Sequence, residues 1–243
     1  MWGFLFPSYC VYCGAETKNM VCRKCWRQFQ KFKILHKTEN RCSVCFHKLN
    51  SINHQCDFCQ SRFLFFNKVY ALYEYNSFTK KILLEWKYQN QREIYKLFLK
   101  DILKTVSKET PDRIGIIGSS KISKNFRNYN ILEDIAKEVS YSLKIPFGHD
   151  IIKTKKTKQS QNKQINRFFD VLFSFELTQK ISNINKYLII EDTITTGATI
   201  NEVSRLLKKQ NVREVMIISI FMEEIKEGSL WSPLPKANKM MSL

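Results

Sequence analysis

Two groups of residues in this 243-residue chain have types and spacings that can do chemistry. The first is a set of eight cysteines sorted into four Cys-x-x-Cys pairs, Cys10/Cys13, Cys22/Cys25, Cys42/Cys45 and Cys56/Cys59. A Cys-x-x-Cys pair can point two thiolates at one ion, and two pairs complete a tetrahedron. Eight residues separate the first two pairs and ten the last two, so each couple can close a small knuckle. The spacing predicts two four-cysteine zinc sites in sequence, with cross-bracing of first pair to third and second to fourth as the alternative. Disulfides are disfavoured by the regular spacing and by a start that does not read as a secretion signal. Iron is the lesser metal option. Four thiolates leave no position for water, so the role is structural. The segment is too short for a core of its own, and metal binding must supply its folding energy, on the order of 10–16 kcal/mol per site. His36, His47 and His54 lie nearby; with each thiolate set complete, they read as surface residues rather than ligands.

The second group is Tyr187-Leu-Ile-Ile-Glu-Asp-Thr-Ile-Thr-Thr-Gly-Ala-Thr199. A buried strand ends in the adjacent carboxylates Glu191 and Asp192, at the end where ligands bind in an open α/β sheet. Thr195, Thr196, Gly197, Ala198 and Thr199 then lead into a helix. Small residues there let backbone N–H groups close around a phosphate, with the positive end of the helix behind them. Carboxylates beside a phosphate nest suit a ligand with both a phosphate and vicinal hydroxyls, as a ribose 5-phosphate has. A plainer reading is compatible: Thr199 as helix cap with Glu202 completing a capping box. Neither G-x-x-x-x-G-K-[ST] nor G-x-G-x-x-G occurs, which disfavours ATP-driven and dinucleotide redox chemistry.

The elements that must position these groups alternate. Val69–Tyr75 reads as a strand, Phe78–Tyr88 and Ile94–Val106 as helices, and Arg113–Ile117 as a short buried strand. Asn130–Leu143 reads as an amphipathic helix, Phe147–Ile152 as a strand and Val171–Leu177 as a further apolar strand. After the Tyr187–Ile190 strand come a helix over Ile200–Lys209 and a strand over Val212–Met222. Strand–helix alternation predicts a parallel sheet. Lys153 to Gln164 is lysine-rich and aperiodic and reads as a loop. The predicted organisation is a double zinc-knuckle domain over 1–66, an α/β domain over 67–222 and a loose tail over 223–243.

Lys plus Arg is 40 against 22 Asp plus Glu, a net +18. That charge favours polyanionic partners: nucleic acid, phosphorylated ligands or an acidic membrane surface. The competing explanation is compositional, since lysine dominates as an AT-rich coding sequence would make it. Residues 1–68 interleave basic side chains with Trp26, Phe29, Phe32, Phe46, Phe58, Phe63, Phe65 and Phe66. Such a pattern can form a stacking groove for single-stranded nucleic acid, although packing around the knuckles is the favoured role for most of these aromatics. No apolar run approaches the roughly 20 residues of a membrane span, which predicts a cytoplasmic protein, at most peripheral at the inner membrane.

The 187–199 segment resembles the phosphoribosyl-diphosphate motif of type I phosphoribosyltransferases. With the cysteine pairs in front, the chain resembles the ComF family of competence-associated proteins over residues 5–222. Leu5-Phe6-Pro7-x-x-Cys10-x-x-Cys13-Gly14 is similar to that family's start, and Leu84-x-x-Lys87-Tyr88 to its lysine turn. Arg127-Asn128-Tyr129-Asn130 stands where the family has Arg-Gly-Phe-Asn-Gln, and Asn166-Arg167 where it has Glu-Arg. The resemblance implies a type I phosphoribosyltransferase-like parallel sheet flanked by helices. It implies that Glu191 and Asp192 hold the ribose hydroxyls and that 195–199 binds the 5-phosphate. The 118–121 loop would lie at the pyrophosphate, with Lys121 or Arg127 neutralising it, and 153–167 would close as a hood. Mg2+ on the diphosphate and single-stranded DNA as a partner in transformation are further implications. The chain departs from the family pattern at Gly115-Ile116-Ile117-Gly118, in place of Val-Pro-Val-Pro, and at Asn128, Ile131, Phe168, Phe169 and Asp170. An active transferase acting on an unidentified base, a non-catalytic DNA-handling adaptor and a ligand-free scaffold are the three functions the sequence leaves open.

Overall fold

The computed structural model describes residues 8–49, 56–60, 63–89, 91–118, 130–154, 171 and 173–224. Six strands form one sheet: β1 (Lys68–Glu74), β2 (Arg113–Gly118), β3 (Phe147–Lys153), β4 (Phe175–Leu177), β5 (Lys186–Ile194) and β6 (Glu214–Met222). Their spatial order is β1-β6-β5-β2-β3-β4. Every neighbouring pair is parallel except β3 with β4. Tyr187, Leu188, Ile189 and Ile190 of β5 are all buried. A strand covered on both faces needs such a continuous apolar run, which is why the sequence reads there without alternation.

Among the described residues, six α-helices accompany the sheet. α1 (Arg23–Gln30) and α2 (Asp57–Gln60) belong to the cysteine region, followed by α3 (Ser77–Tyr88), α4 (Lys96–Glu109), α5 (Leu132–Leu143) and α6 (Ala198–Lys209). α3 opens on a capping box in which the Asn76 side chain accepts from the Phe78 and Thr79 N–H groups, while Thr79 Oγ1 accepts from the Asn76 N–H. Trp86 of α3, Phe98 of α4 and Ile135 of α5 bury against one face of the sheet with Leu188, Ile190 and Ile218. Ile200, Val203 and Leu207 of α6 bury against the other with Tyr187, Ile189 and Ile217. The predicted strand over 171–177 is confined to Phe175–Leu177, and β5 runs beyond the predicted Ile190 to Ile194.

The cysteine region is welded to this sheet. Cys10, Val21, Cys25 and Phe29 belong to the α3–α5 core, whereas Cys42, Cys45, Phe46 and Phe58 belong to the α6 core. Between them the chain crosses the outer edge of β1. Ile34 N–H donates to the Leu72 carbonyl at 2.9 Å, and Glu74 N–H donates to the Phe32 carbonyl at 2.9 Å. This crossing covers an edge that would otherwise leave backbone groups open and delivers one knuckle to each face.

The two knuckles share a backbone plan at an offset of 32 residues. Gly14 N–H donates to the Cys10 carbonyl at 2.9 Å, and Phe46 N–H to the Cys42 carbonyl at 3.0 Å. Cys10 N–H donates to Ala15 at 2.8 Å, and Cys42 N–H to His47 at 2.9 Å. Tyr9 bridges Glu16 as Arg41 bridges Lys48. The residue after each first pair adopts positive φ, +73° at Gly14 and +64° at Phe46. Glycine meets that demand freely. Phe46 meets it with its ring buried in the α6 core.

Candidate functional site

Each cysteine cluster is closed by consecutive pairs. Cys10, Cys13, Cys22 and Cys25 gather in one group and Cys42, Cys45, Cys56 and Cys59 in the other, with all sulfurs of a group within 4.8 Å of one another. Cys13 and Cys22 sulfurs are 3.8 Å apart, Cys42 and Cys59 3.6 Å, and Cys45 and Cys56 3.3 Å. An ion bound about 2.3 Å from four tetrahedral sulfurs places them about 3.8 Å apart, so both donor sets fit structural zinc. The sequential pairing is therefore the arrangement adopted, and the cross-braced alternative is not. Backbone amides orient the sulfurs: Cys22 N–H points at Cys10 Sγ at 3.2 Å and Val44 N–H at Cys42 Sγ at 3.4 Å.

Of the histidines expected at the surface, His36 is exposed but His47 is not. It is buried and stacks on Phe58 with ring centroids 4.4 Å apart. Its burial has a local cause. The Cys42 N–H to His47 carbonyl bond folds the knuckle back, and the imidazole turns onto the ring carried by the second cysteine pair. His54 lies outside the described residues. Most of the aromatics expected to pack do so, among them Phe29, Phe46, Phe58 and Phe66, whereas Phe63 is 78% exposed.

The acidic pair lies at the carboxyl end of β5. Its neighbours β6 and β2 are reached by chain paths leaving in opposite directions, the switch point where such sheets bind ligands. Alternation along the strand sends the two side chains to opposite faces. Asp192 forms an ion pair with Lys87 at the end of α3. Sequence reasoning placed Lys87 only in a family-like lysine turn; nothing in local spacing joins it to a residue more than a hundred positions away. Glu191 is only partly exposed, and its carboxyl is enclosed. Desolvation first, and the Asp192 charge second, push it up to about 8, with the Asp192 N–H and the Lys87 ammonium pulling the other way. The Asp192 N–H donates to Glu191 Oε1 at 3.0 Å. Near neutral pH the pair thus offers a protonated carboxyl that can donate beside a second carboxyl group paired to an ammonium, a set suited to hydroxyl groups.

Beyond Ile194 the chain bends through Thr195, Thr196 and Gly197 and enters α6 at Ala198. The expected cap at Thr199 does not form. Gly197, at φ +71°, turns the chain two residues earlier and is itself the N-cap, and Thr196 Oγ1 accepts from the Ala198 N–H at 3.3 Å. Glu202 does not close a capping box either: Arg205 holds its carboxylate at 2.6 and 2.7 Å, and the Phe173 N–H donates to it at 2.9 Å. Thr199 lies instead in the first turn of α6, whose leading N–H groups have no carbonyl one turn back to receive them. These donors and the helix dipole favour an anion.

Gly197 is needed a second way. A Cβ there would lie 3.0 Å from Phe58 Cζ, so the aromatic ring of the second knuckle rests against the turn. Asn201 of α6 ties the same region down. Its side-chain oxygen accepts from the Phe65 N–H at 2.8 Å, and its amide donates to the Phe63 carbonyl at 3.0 Å. Neither contact was legible in the sequence, because each joins residues about 136 or more positions apart. Lys121, Arg127 and the hood residues from 155 to 167 lie outside the described residues.

Gly115, in the segment where the sequence departs from Val-Pro-Val-Pro, and Gly148 on the neighbouring strand β3 share a packing reason. A Cβ on Gly115 would fall 2.1 Å from the Tyr187 hydroxyl, and one on Gly148 2.3 Å from Arg113 Nη2. The space holds a buried network: Asp150 accepts from Arg113 at 2.6 and 2.7 Å, from Tyr187 at 2.7 Å and from Gln179 at 2.7 Å. These donors hold the Asp150 carboxyl below its usual range against desolvation, the largest single influence on it.

Residues 133–233 match the family described as phosphoribosyl transferase domain, a span that contains β5, the 195–199 turn and α6. The chain is 24% identical over 227 residues to Competence protein F of Haemophilus influenzae, covering 87% of this chain and 96% of that protein. It is 25% identical over 223 residues to Competence protein ComFC of Bacillus subtilis, covering 80% and 91%. Among solved structures, a purine phosphoribosyltransferase from Pyrococcus horikoshii aligns with 52% of this chain and 80% of its own, at 16% identity and a TM-score of 0.34. No helix among the described residues is long and apolar enough to cross a membrane. Along its length the chain is thus similar to two competence proteins, and over residues 133–233 it matches a phosphoribosyl transferase domain.

Proposed function

We propose that the carboxyl end of β5 and the turn into α6 bind the ribose and 5-phosphate of phosphoribosyl diphosphate or of a nucleotide, and that the protein uses this pocket in handling single-stranded DNA during natural transformation or recombination. The observation that carries the reading is the junction itself: Glu191 and Asp192 lie near the carboxyl end of β5, which two residues later gives way to a Gly197-turned loop that opens α6, at the switch point of a parallel sheet. The 5-phosphate would take the amides of residues 195–199 and the Thr195 and Thr199 hydroxyls. The ribose 2′- and 3′-hydroxyls would face Glu191 and Asp192. Lys87 would be drawn from Asp192 toward the ligand, or would hold Asp192 in place for it. Mg2+ would come with the diphosphate, held by ligand oxygens and water. Lys121 and Arg127 are the proposed partners of the leaving diphosphate if turnover occurs. The net +18 charge and the competence relatives support the DNA role.

The test is calorimetry with phosphoribosyl diphosphate and Mg2+. The wild-type chain binds, and the double variant Glu191→Ala/Asp192→Ala loses binding while its unfolding transition persists. Equal affinity in the double variant would refute the site. A pyrophosphate-release screen across free bases divides an active salvage transferase from an adaptor. For DNA, affinity for a single strand should fall with log salt at a slope of about −0.7 per phosphate contact, and equal affinity for heparin would reduce the interaction to charge.

A further inference from the structure

The two knuckles follow one backbone plan but do not touch the same things. The second carries His47 where the first has Ala15, and Phe58, two residues after Cys56, where the first has exposed Lys24 two residues after Cys22. We infer that Phe58 is a positioning residue for the phosphate turn, and that metal loading of the Cys42/Cys45/Cys56/Cys59 cluster regulates sugar-phosphate affinity through it. The inference rests on the pocket proposed above and adds its regulation.

The ring is held from both arms of the knuckle. His47 lies on the arm bearing Cys42 and Cys45, and Phe58 lies between Cys56 and Cys59. The two rings stack at 4.4 Å and 20°. The four sulfurs hold these same two arms together, so the stack and the cluster share their supports. The edge of Phe58 then meets Gly197, with Cζ 3.0 Å and Cε2 3.8 Å from where a Cβ would stand. Gly197 is the residue whose left-handed φ sets the direction of the amides that follow. A glycine turn has the least intrinsic stiffness of any, and anion binding by backbone amides depends on their being aimed before the ligand arrives. The ring supplies that stiffness from outside the turn. A second strut runs in parallel, since Asn201, whose N–H donates to the Gly197 carbonyl at 3.0 Å, is bonded to Phe63 and Phe65 just beyond the cluster. The first knuckle has no such reach: its Tyr12 stacks on Phe78 of α3 at 4.1 Å, on the face away from α6.

The experiment compares Phe58→Ala, Phe58→Leu and Tyr12→Ala in the full chain with zinc bound. Three quantities are read: zinc per chain, affinity for phosphoribosyl diphosphate with Mg2+, and hydrogen exchange of the amides at 195–199. Phe58→Ala should keep both zinc ions yet bind the probe about tenfold or more weakly, the scale of loss a misplaced binding group produces, and its 195–199 amides should exchange faster. Phe58→Leu should recover most of both, and Tyr12→Ala should change neither. Unchanged affinity or unchanged exchange in Phe58→Ala overturns the inference, as does an equal response from Tyr12→Ala. A wild-type chain that binds no sugar phosphate refutes the pocket and, with it, the claim of regulated affinity. The exchange comparison then still reads whether the ring stiffens the turn, which separates the two failures.

Discussion

The first and second knuckles are near copies in backbone and opposites in placement. One sits on the α3–α5 face, where Phe29 joins Tyr73, Phe98 and Phe221 in an aromatic cluster with centroid separations of 4.4 to 6.5 Å. The other sits on the α6 face against the turn that follows the acidic pair. The segment between them lies along β1, so each knuckle is committed to its face by the crossing. The same metal-closed module can therefore do two jobs. On one face it completes a hydrophobic core, and on the other it abuts a candidate ligand site. The difference lies in a few side chains around the cysteines, not in the cysteines themselves.

The largest effects should come from opening either cluster. Cys10→Ser and Cys45→Ser each remove a buried ligand and should each cut zinc from two ions per chain to one by elemental analysis. Both should lower the melting temperature by about 10 °C or more, since structural zinc contributes many kcal/mol to small cysteine modules. The comparison predicts a split in function. Phosphoribosyl-diphosphate binding should collapse in Cys45→Ser and survive in the folded fraction of Cys10→Ser. Loss of binding in both would break the distinction between the faces.

A middle-sized effect should come from Phe29→Ala, which empties the centre of the first knuckle's core. Phe29 is fully buried, and such truncations cost about 3–5 kcal/mol. Urea unfolding should report that loss with sugar-phosphate affinity held within twofold. An affinity loss as large as that of Phe58→Ala would mean that stability alone, from whichever face, governs the pocket.

These contrasts also mark how far the sequence could be read. Cys-x-x-Cys spacing is local, so the two sequential clusters were legible, as was the strand–turn–helix of 187–209 with its carboxylates and hydroxyls. The sheet followed from apolar runs alternating with helical patterns. What escaped was of two kinds. One is local competition: Thr199 and Gly197 are both good caps, and the left-handed turn at Gly197 fixes the helix start ahead of the threonine. The other is long-range contact. Lys87 with Asp192, Phe58 with Gly197 and Asn201 with the backbone at 63 and 65 are set by the docking of elements, and no periodicity within an element encodes them. His47 joined the core for the same reason, because its stacking partner arrives from the other arm of the knuckle.

The subtlest effect, read only as a slope in pH, concerns protons and divides the acidic pair between the faces. Asp192 turns toward α3 and is met by Lys87, whereas Glu191 turns toward the α6 side, where burial dominates. With its folded pKa near 8 and its ordinary value at 4.5, Glu191 binds a proton in the native chain that the unfolded chain releases. Its contribution to stability is full below pH 4.5 and is lost as pH rises toward about 8. The loss is on the order of a few kcal/mol at most, by the conversion of about 1.4 kcal/mol per pKa unit. Urea unfolding from pH 5 to 9 should therefore show a downward slope in the wild type that Glu191→Gln flattens. Asp192→Asn removes the like charge that lifts Glu191, so it should keep the slope but end it at lower pH. If Glu191→Gln kept the wild-type slope, the proton would reside elsewhere. The α6-side carboxyl would then be ionised near neutral pH and would meet a ligand as an acceptor instead of a donor.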